Sequence, residues 1–142
     1  MKKIYLTLLF IVVSIIGYSQ EGKPNSENHP LIITAQDDES IYNTAGIEKK
    51  PEYPGGLGEF YKYVAKKYRT PNVRGLQGKV FVTFVVEKDG GLTDIKVLKD
   101  IGYGTGEEAV RILKKCDNWI PGEQAGKKVR VLYFLPIVIK TE

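Results

Sequence analysis

The sequence is poor in the residues from which most enzyme and metal sites are built. It holds one cysteine, Cys116, and one histidine, His29, among 142 residues. A lone cysteine excludes an internal disulfide framework and any zinc site made of several thiolates. With one histidine, outside the regularly patterned part of the chain, Ser-His and Cys-His catalysis lack their base. Carboxylates are present, but Asp89, Asp94 and Glu108 read as a turn, a strand surface and a helix start, with no spacing that demands a paired site. Gly102, Gly104 and Gly106 mimic a phosphate-cradling loop, yet no Lys-Ser/Thr pair follows them and no acid stands at the βαβ distance. The sequence therefore predicts no catalytic residues, no cofactor and no metal. Long single-sign charge blocks are also missing. Basic and acidic residues are interspersed, so no nucleic-acid footprint is expected.

What is present divides into three parts. Residues 1–19 open with Lys2 and Lys3, continue through a largely apolar stretch from Ile4 to Ile16, and end in Gly17-Tyr18-Ser19. This is the layout of a secretory signal peptide, with cleavage expected near Ser19/Gln20 and an exported product. As a helix, that stretch would span about 20 Å at ~1.5 Å per residue, short of a bilayer core of about 30 Å. An uncleaved membrane anchor is the alternative. Residues 20–50 carry 3 basic against 6 acidic side chains and no sustained period, and read as a polar leader or linker. Within it, Leu31-Ile32-Ile33-Thr34 suggests a short strand. Residues 51–142, with 16 basic against 11 acidic side chains, form the domain.

Pro54-Gly55-Gly56 punctuates the domain's start. Leu57, Phe60, Tyr61, Val64 and Tyr68 then recur at helical spacing, and Thr70-Pro71 stops the helix. A strand over 79–87 alternates Val80/Val82/Phe84/Val86 with Phe81/Thr83/Val85. Asp89-Gly90 signals a hairpin into a return strand over 92–98. Thr105 is the expected N-cap of a second helix, whose apolar stripe is Ala109, Ile112, Leu113 and Cys116. Cys116 is thus expected to be a core thiol. Trp119 should pack beneath the connection to the last strand.

That last strand, over 129–139, is the most informative stretch. Its residues are β-branched and aromatic, yet Pro136 sits inside it. Proline has no N–H to give a ladder, so it belongs at an edge or a bulge. The element order is helix, strand, strand, helix, strand. It predicts an α+β two-layer sandwich: a three-stranded antiparallel sheet in the order 2-1-3, with both helices on one face. The last strand then lies at an edge, where unpaired backbone groups can accept a partner's extended segment. The candidate partner-binding residues are Val129, Val131, Leu132, Tyr133, Phe134, Leu135 and Ile137.

A family resemblance joins these features. Pro51-Glu52-Tyr53-Pro54-Gly55-Gly56, then Gly78-Lys79-Val80-Phe81-Val82-Thr83-Phe84-Val85-Val86 with Asp89-Gly90, Glu108-Ala109-Val110-Arg111, Trp119-Ile120-Pro121-Gly122, Gly126-Lys127-Lys128-Val129 and Leu135-Pro136-Ile137 stand in the order found in TonB C-terminal domains. From about residue 51 to 140 the chain resembles that family, in the variety common in Bacteroidetes-type bacteria. The resemblance implies a non-enzymatic binding module of the cell envelope whose last strand pairs with a short segment of an outer-membrane TonB-dependent receptor. It also implies energised transport driven by an inner-membrane proton-driven motor complex. A full transducer carries an N-terminal helix with Ser and His one turn apart; here Ser14 is followed by Tyr18. Two alternatives stand beside the receptor-binding module: a short anchored energy transducer, and a structural envelope homodimer paired through its edge strands.

Overall fold

In a computed structural model, the described residues are 39–142. The expected signal peptide and the short strand at Leu31-Ile32-Ile33-Thr34 lie outside them. The elements are β1 (Ile41–Asn43), α1 (Leu57–Lys67), β2 (Gln77–Val86), β3 (Leu92–Lys99), α2 (Thr105–Lys115), β4 (Gly122–Gln124) and β5 (Lys127–Lys140). The class is α+β, as the patterning required, but the sheet is mixed and five-stranded rather than three-stranded and antiparallel. Its path is β1-β5-β2-β3, with β4 joined to β5. β2 is antiparallel to both β3 and β5. β1 runs parallel to β5, from Ile41 opposite Arg130 to Asn43 opposite Leu132.

The core follows from the alternation in β2 and β5. Val80, Val82, Phe84 and Val86 are fully buried, and so are Leu135 and Ile137 opposite them. Phe60 and Val64 of α1, with Ala109, Ile112 and Leu113 of α2, close this face. Trp119 is the hub. It is 2% exposed, with Tyr53, Phe60, Phe84 and Tyr133 at ring-centroid distances of 5.0–5.9 Å. Its indole N–H is buried and, among the described residues, meets no partner at hydrogen-bonding geometry. Burial pushes the Cys116 thiol up, outweighing the nearby Trp119 indole, which pulls it down. Cys116 is half-buried against the core and donates to the Leu113 carbonyl at 3.2 Å.

Two local readings change. The N-cap of α2 is Gly104, in the left-handed region at φ 75°, not Thr105. Thr105 lies one position inside, fully buried. Its hydroxyl donates to Gly102 O at 2.7 Å, and its carbonyl accepts from the Tyr68 hydroxyl at 2.7 Å. Gly102 and Gly104, at φ 76° and 75°, flank Tyr103 at φ 57°, and this left-handed run, easy for glycine, turns the chain into α2 without a side-chain cap. Second, part of the polar stretch before residue 51 is ordered onto the sheet. Ile47 and Tyr42 pack with Val129 and Val131 in a satellite cluster, and Lys49 exchanges backbone hydrogen bonds with Glu123.

Two features make stability depend on pH. Arg130 forks onto Glu87 at 2.7 and 3.0 Å, and Arg111 pairs with Glu108. Each arginine holds its carboxylate below the ordinary range. Their contribution is present above that range and is lost as pH falls through it. Tyr68 is shifted the other way. Burial first, then Glu108, Asp100 and Glu107, push its hydroxyl up to about 12. A raised folded pKa gives stability that is complete below the unfolded value near 10 and is lost as pH rises toward 12. Melting temperature should therefore fall through that alkaline window, and Tyr68→Phe should flatten the fall. An equally steep decline in Tyr68→Phe would place the responsible group elsewhere.

Candidate functional site

The sheet has two outer edges with different characters. β3 is a poor template for a partner strand. Two register shifts interrupt its pairing with β2, Asp94 has φ 49°, and Asp94, Lys96 and Lys99 bring charge to the edge. Bulges and charges are the usual devices that blunt an edge. β5 differs. It pairs continuously with β2 from Val131 to Lys140. On its other side, among the described residues, β1 covers Arg130 to Leu132 and nothing beyond. The expectation that the whole 129–139 run forms an edge is therefore corrected. β4 takes Lys127 to Val129 and β1 the next three residues, so the open edge begins at Tyr133.

Two contacts fix which backbone groups face outward. The Thr141 N–H donates to Leu76 O at 2.9 Å, toward the β2 side. Along an antiparallel strand the N–H and C=O of one residue share a side, and successive residues alternate. Residues 133, 135, 137 and 139 thus pair with β2, while 134, 136, 138 and 140 aim away. The Tyr61 hydroxyl of α1 independently confirms the phase by donating to Pro136 O at 3.1 Å. Pro136 occupies an outward position, where its missing N–H costs the sheet nothing.

The predicted binding residues therefore divide. Val129, Val131, Leu135 and Ile137 bury their side chains inside the domain. Tyr133 is half-buried, stacked on Phe84 at 5.6 Å. Leu132 and Phe134 are exposed on the sheet face that no helix covers, with Phe134 stacked on Phe81. Val138, outside the predicted set, is 65% exposed and carries an outward N–H. Tyr61 and Ala65 on α1 also border the edge. With Val64, Ile137 and Val138 they line a groove of about 390 Å³ without a charged side chain. Tyr61 belongs to the helical stripe visible in the sequence; only the tertiary fold brings it to β5.

The domain is thus a small α+β unit with its core on one sheet face and, among the described residues, an apolar stretch of β5 with no strand paired to its outer side. Residues 72–140 match the family described as the Gram-negative bacterial TonB protein C-terminal region, and that stretch is assigned to the TonB C-terminal domain family. Among solved structures, the chain is similar to the C-terminal domain of Helicobacter pylori TonB, solved by NMR in solution. Identity is 26% over 61% of this chain and 82% of that chain, with a TM-score of 0.38. Comparison with the curated proteins finds no match. Among the described residues no helix is long and apolar enough to cross a membrane, and no cluster of three or more His, Cys, Asp or Glu side chains is placed to hold a metal ion.

Proposed function

We propose that this protein is an exported envelope module that takes up an extended segment of an outer-membrane TonB-dependent receptor by strand addition on the outer side of β5, and so contributes to energised transport. The observation that carries this reading is the outward row of Phe134, Pro136 and Val138 on an edge that no strand among the described residues covers, in a chain whose residues 72–140 match the TonB C-terminal family. Main-chain hydrogen bonds supply affinity in this mode, and neighbouring side chains set preference. The chain reaches the periplasm through its N-terminal signal, cleaved near Ser19/Gln20. Recovery of the intact N-terminal Met1 from the membrane fraction would replace this by the anchored transducer, coupled to the inner-membrane motor.

The register makes the test position-specific. Phe134→Pro and Val138→Pro remove outward N–H groups and leave the β2 ladder whole. Tyr133→Pro removes an inward one opposite Phe84 and displaces a ring from the Trp119 cluster. Phe134→Pro also gives up its stacking on Phe81, about 0.5–1.5 kcal/mol, which leaves the domain folded. Binding of synthetic peptides from the N-terminal periplasmic segments of co-expressed receptors is measured alongside melting. The two edge variants should stay folded and lose binding at least tenfold, while Tyr133→Pro should unfold. Folded edge variants that bind like wild type would rule out strand addition here. Dimerisation of the wild type, broken by Phe134→Pro with no peptide bound, would install the homodimer in its place.

A further inference from the structure

We infer that the added strand is selected by one uncharged aliphatic side chain, received in the groove between α1 and β5 at the point where β5 offers least to the main chain. This rests on the strand-addition reading and specifies what that strand must carry. At Pro136 the edge has no N–H, and the carbonyl is already bonded to the Tyr61 hydroxyl. A strand lying against β5 therefore finds donor and acceptor pairs, free among the described residues, at Phe134 and at Val138, about 14 Å apart at ~3.4 Å per residue. Between them the backbone is not held, and the hold there has to come from a side chain.

The geometry provides for one. A neighbouring strand lies about 4.8 Å from β5, with side chains alternating between the two faces. The residue opposite Ile137 points to the same face as Ile137, toward α1. There the groove has Ile137 and Val64 as its buried floor, 0% and 7% exposed, and Ala65 and Tyr61 along its wall. The small Ala65 side chain leaves the space open. None of the lining groups carries a charge, so an ionised residue entering it would lose water without gaining a partner. Ala65 is a specificity residue in this arrangement, and Tyr61 a positioning residue that keeps the Pro136 carbonyl occupied.

The test uses the full mature chain and a receptor-derived peptide that binds it. Each peptide residue is replaced in turn by Asp and by Lys, and affinity is measured for wild type, Ala65→Asp and Ala65→Leu. Ala65 is exposed on the helix, and melting curves check that both variants fold. One peptide position should lose at least tenfold with either charge on wild type. At that position alone, Ala65→Asp should restore the Lys peptide at least fivefold, and Ala65→Leu should shift the preference from a large aliphatic residue to Ala. If Phe134→Pro abolishes binding but no peptide position responds to residue 65, strand addition stands and the groove's role is overturned. If no receptor peptide binds the wild type, both fall together.

Discussion

Trp119→Ala should unfold the domain or bring it to the margin of stability. Cutting a buried Trp to Ala costs about 3–5 kcal/mol, against the roughly 5–15 kcal/mol that holds a domain of this kind together. The upper part of that range applies because four aromatic partners from four separate segments meet on this ring. Tyr53 comes from the segment before α1, Phe60 from α1, and Phe84 and Tyr133 from adjacent strands. None of them can collapse into the space without losing its other contacts. Trp119→Phe separates packing from polarity. It keeps a ring in the site and removes the unpartnered indole N–H, whose burial costs about 1–3 kcal/mol. Its loss of stability should therefore be well under half that of Trp119→Ala. Equal losses would mean that the indole N–H has a partner and that polarity is part of what Trp119 contributes.

Gly90→Ala should be the most damaging change of a single methyl group. Gly90 has φ 85°, and a Cβ there would stand 1.9 Å from the Trp119 carbonyl oxygen. That oxygen belongs to the backbone and has no rotamer by which to escape. The Trp119 N–H donates to Gly90 O at 2.8 Å, so the hairpin turn and the aromatic hub are tied at this point. The backbone conformation alone costs a non-glycine residue about 1–3 kcal/mol. Forcing the two backbones apart adds the lost hydrogen bond, about 0.5–1.5 kcal/mol, and loosens Trp119. Gly126→Ala is the matched control, with φ 73° and open space around the added methyl. Chemical denaturation should show Gly90→Ala losing at least about twice as much as Gly126→Ala. Similar losses for the two would show that the contact between turn and hub relaxes freely.

The parts of this fold that were legible in the sequence are those whose signal is local. α1 and α2 announced themselves by apolar residues at helical spacing, and β2 by strict alternation whose inner set is wholly buried. Asp89-Gly90 placed the hairpin, and Trp119 was expected beneath the last connection, where it lies. β1 and β4 were not legible. Each has three residues, too few to show a period, and each is held by pairing with β5 rather than by its own composition. Ile41-Tyr42-Asn43 sits among acidic and polar residues, and its strand character comes from the satellite cluster around Val131.

The site was half legible for a related reason. Pro136 marked a position of β5 that owes no N–H to β2, because a missing N–H is a property of the residue itself. Register is not. Nothing local says whether Tyr133 or Phe134 faces the neighbouring strand; that follows from Thr141 bonding to Leu76, 65 residues away in sequence. Four of the seven residues proposed for partner contact consequently bury their side chains in the core. Tyr61 and Ala65 were assigned only to a helix, although the packing of that helix brings them to the edge of β5.

The central claim is that the outer side of β5 from Phe134 onward is open in the free domain and becomes a strand ladder in the complex. Amide hydrogen exchange, resolved by residue in the full mature chain, tests this most directly. Without peptide, the Phe134 and Val138 amides should exchange rapidly, while those of Tyr133, Leu135, Ile137 and Ile139, paired with β2, exchange slowly. With saturating receptor peptide, the Phe134 and Val138 amides should become protected by at least tenfold and the inward set should change little. Rapid exchange at both outward amides with the peptide demonstrably bound would contradict the account and place the partner elsewhere on the domain.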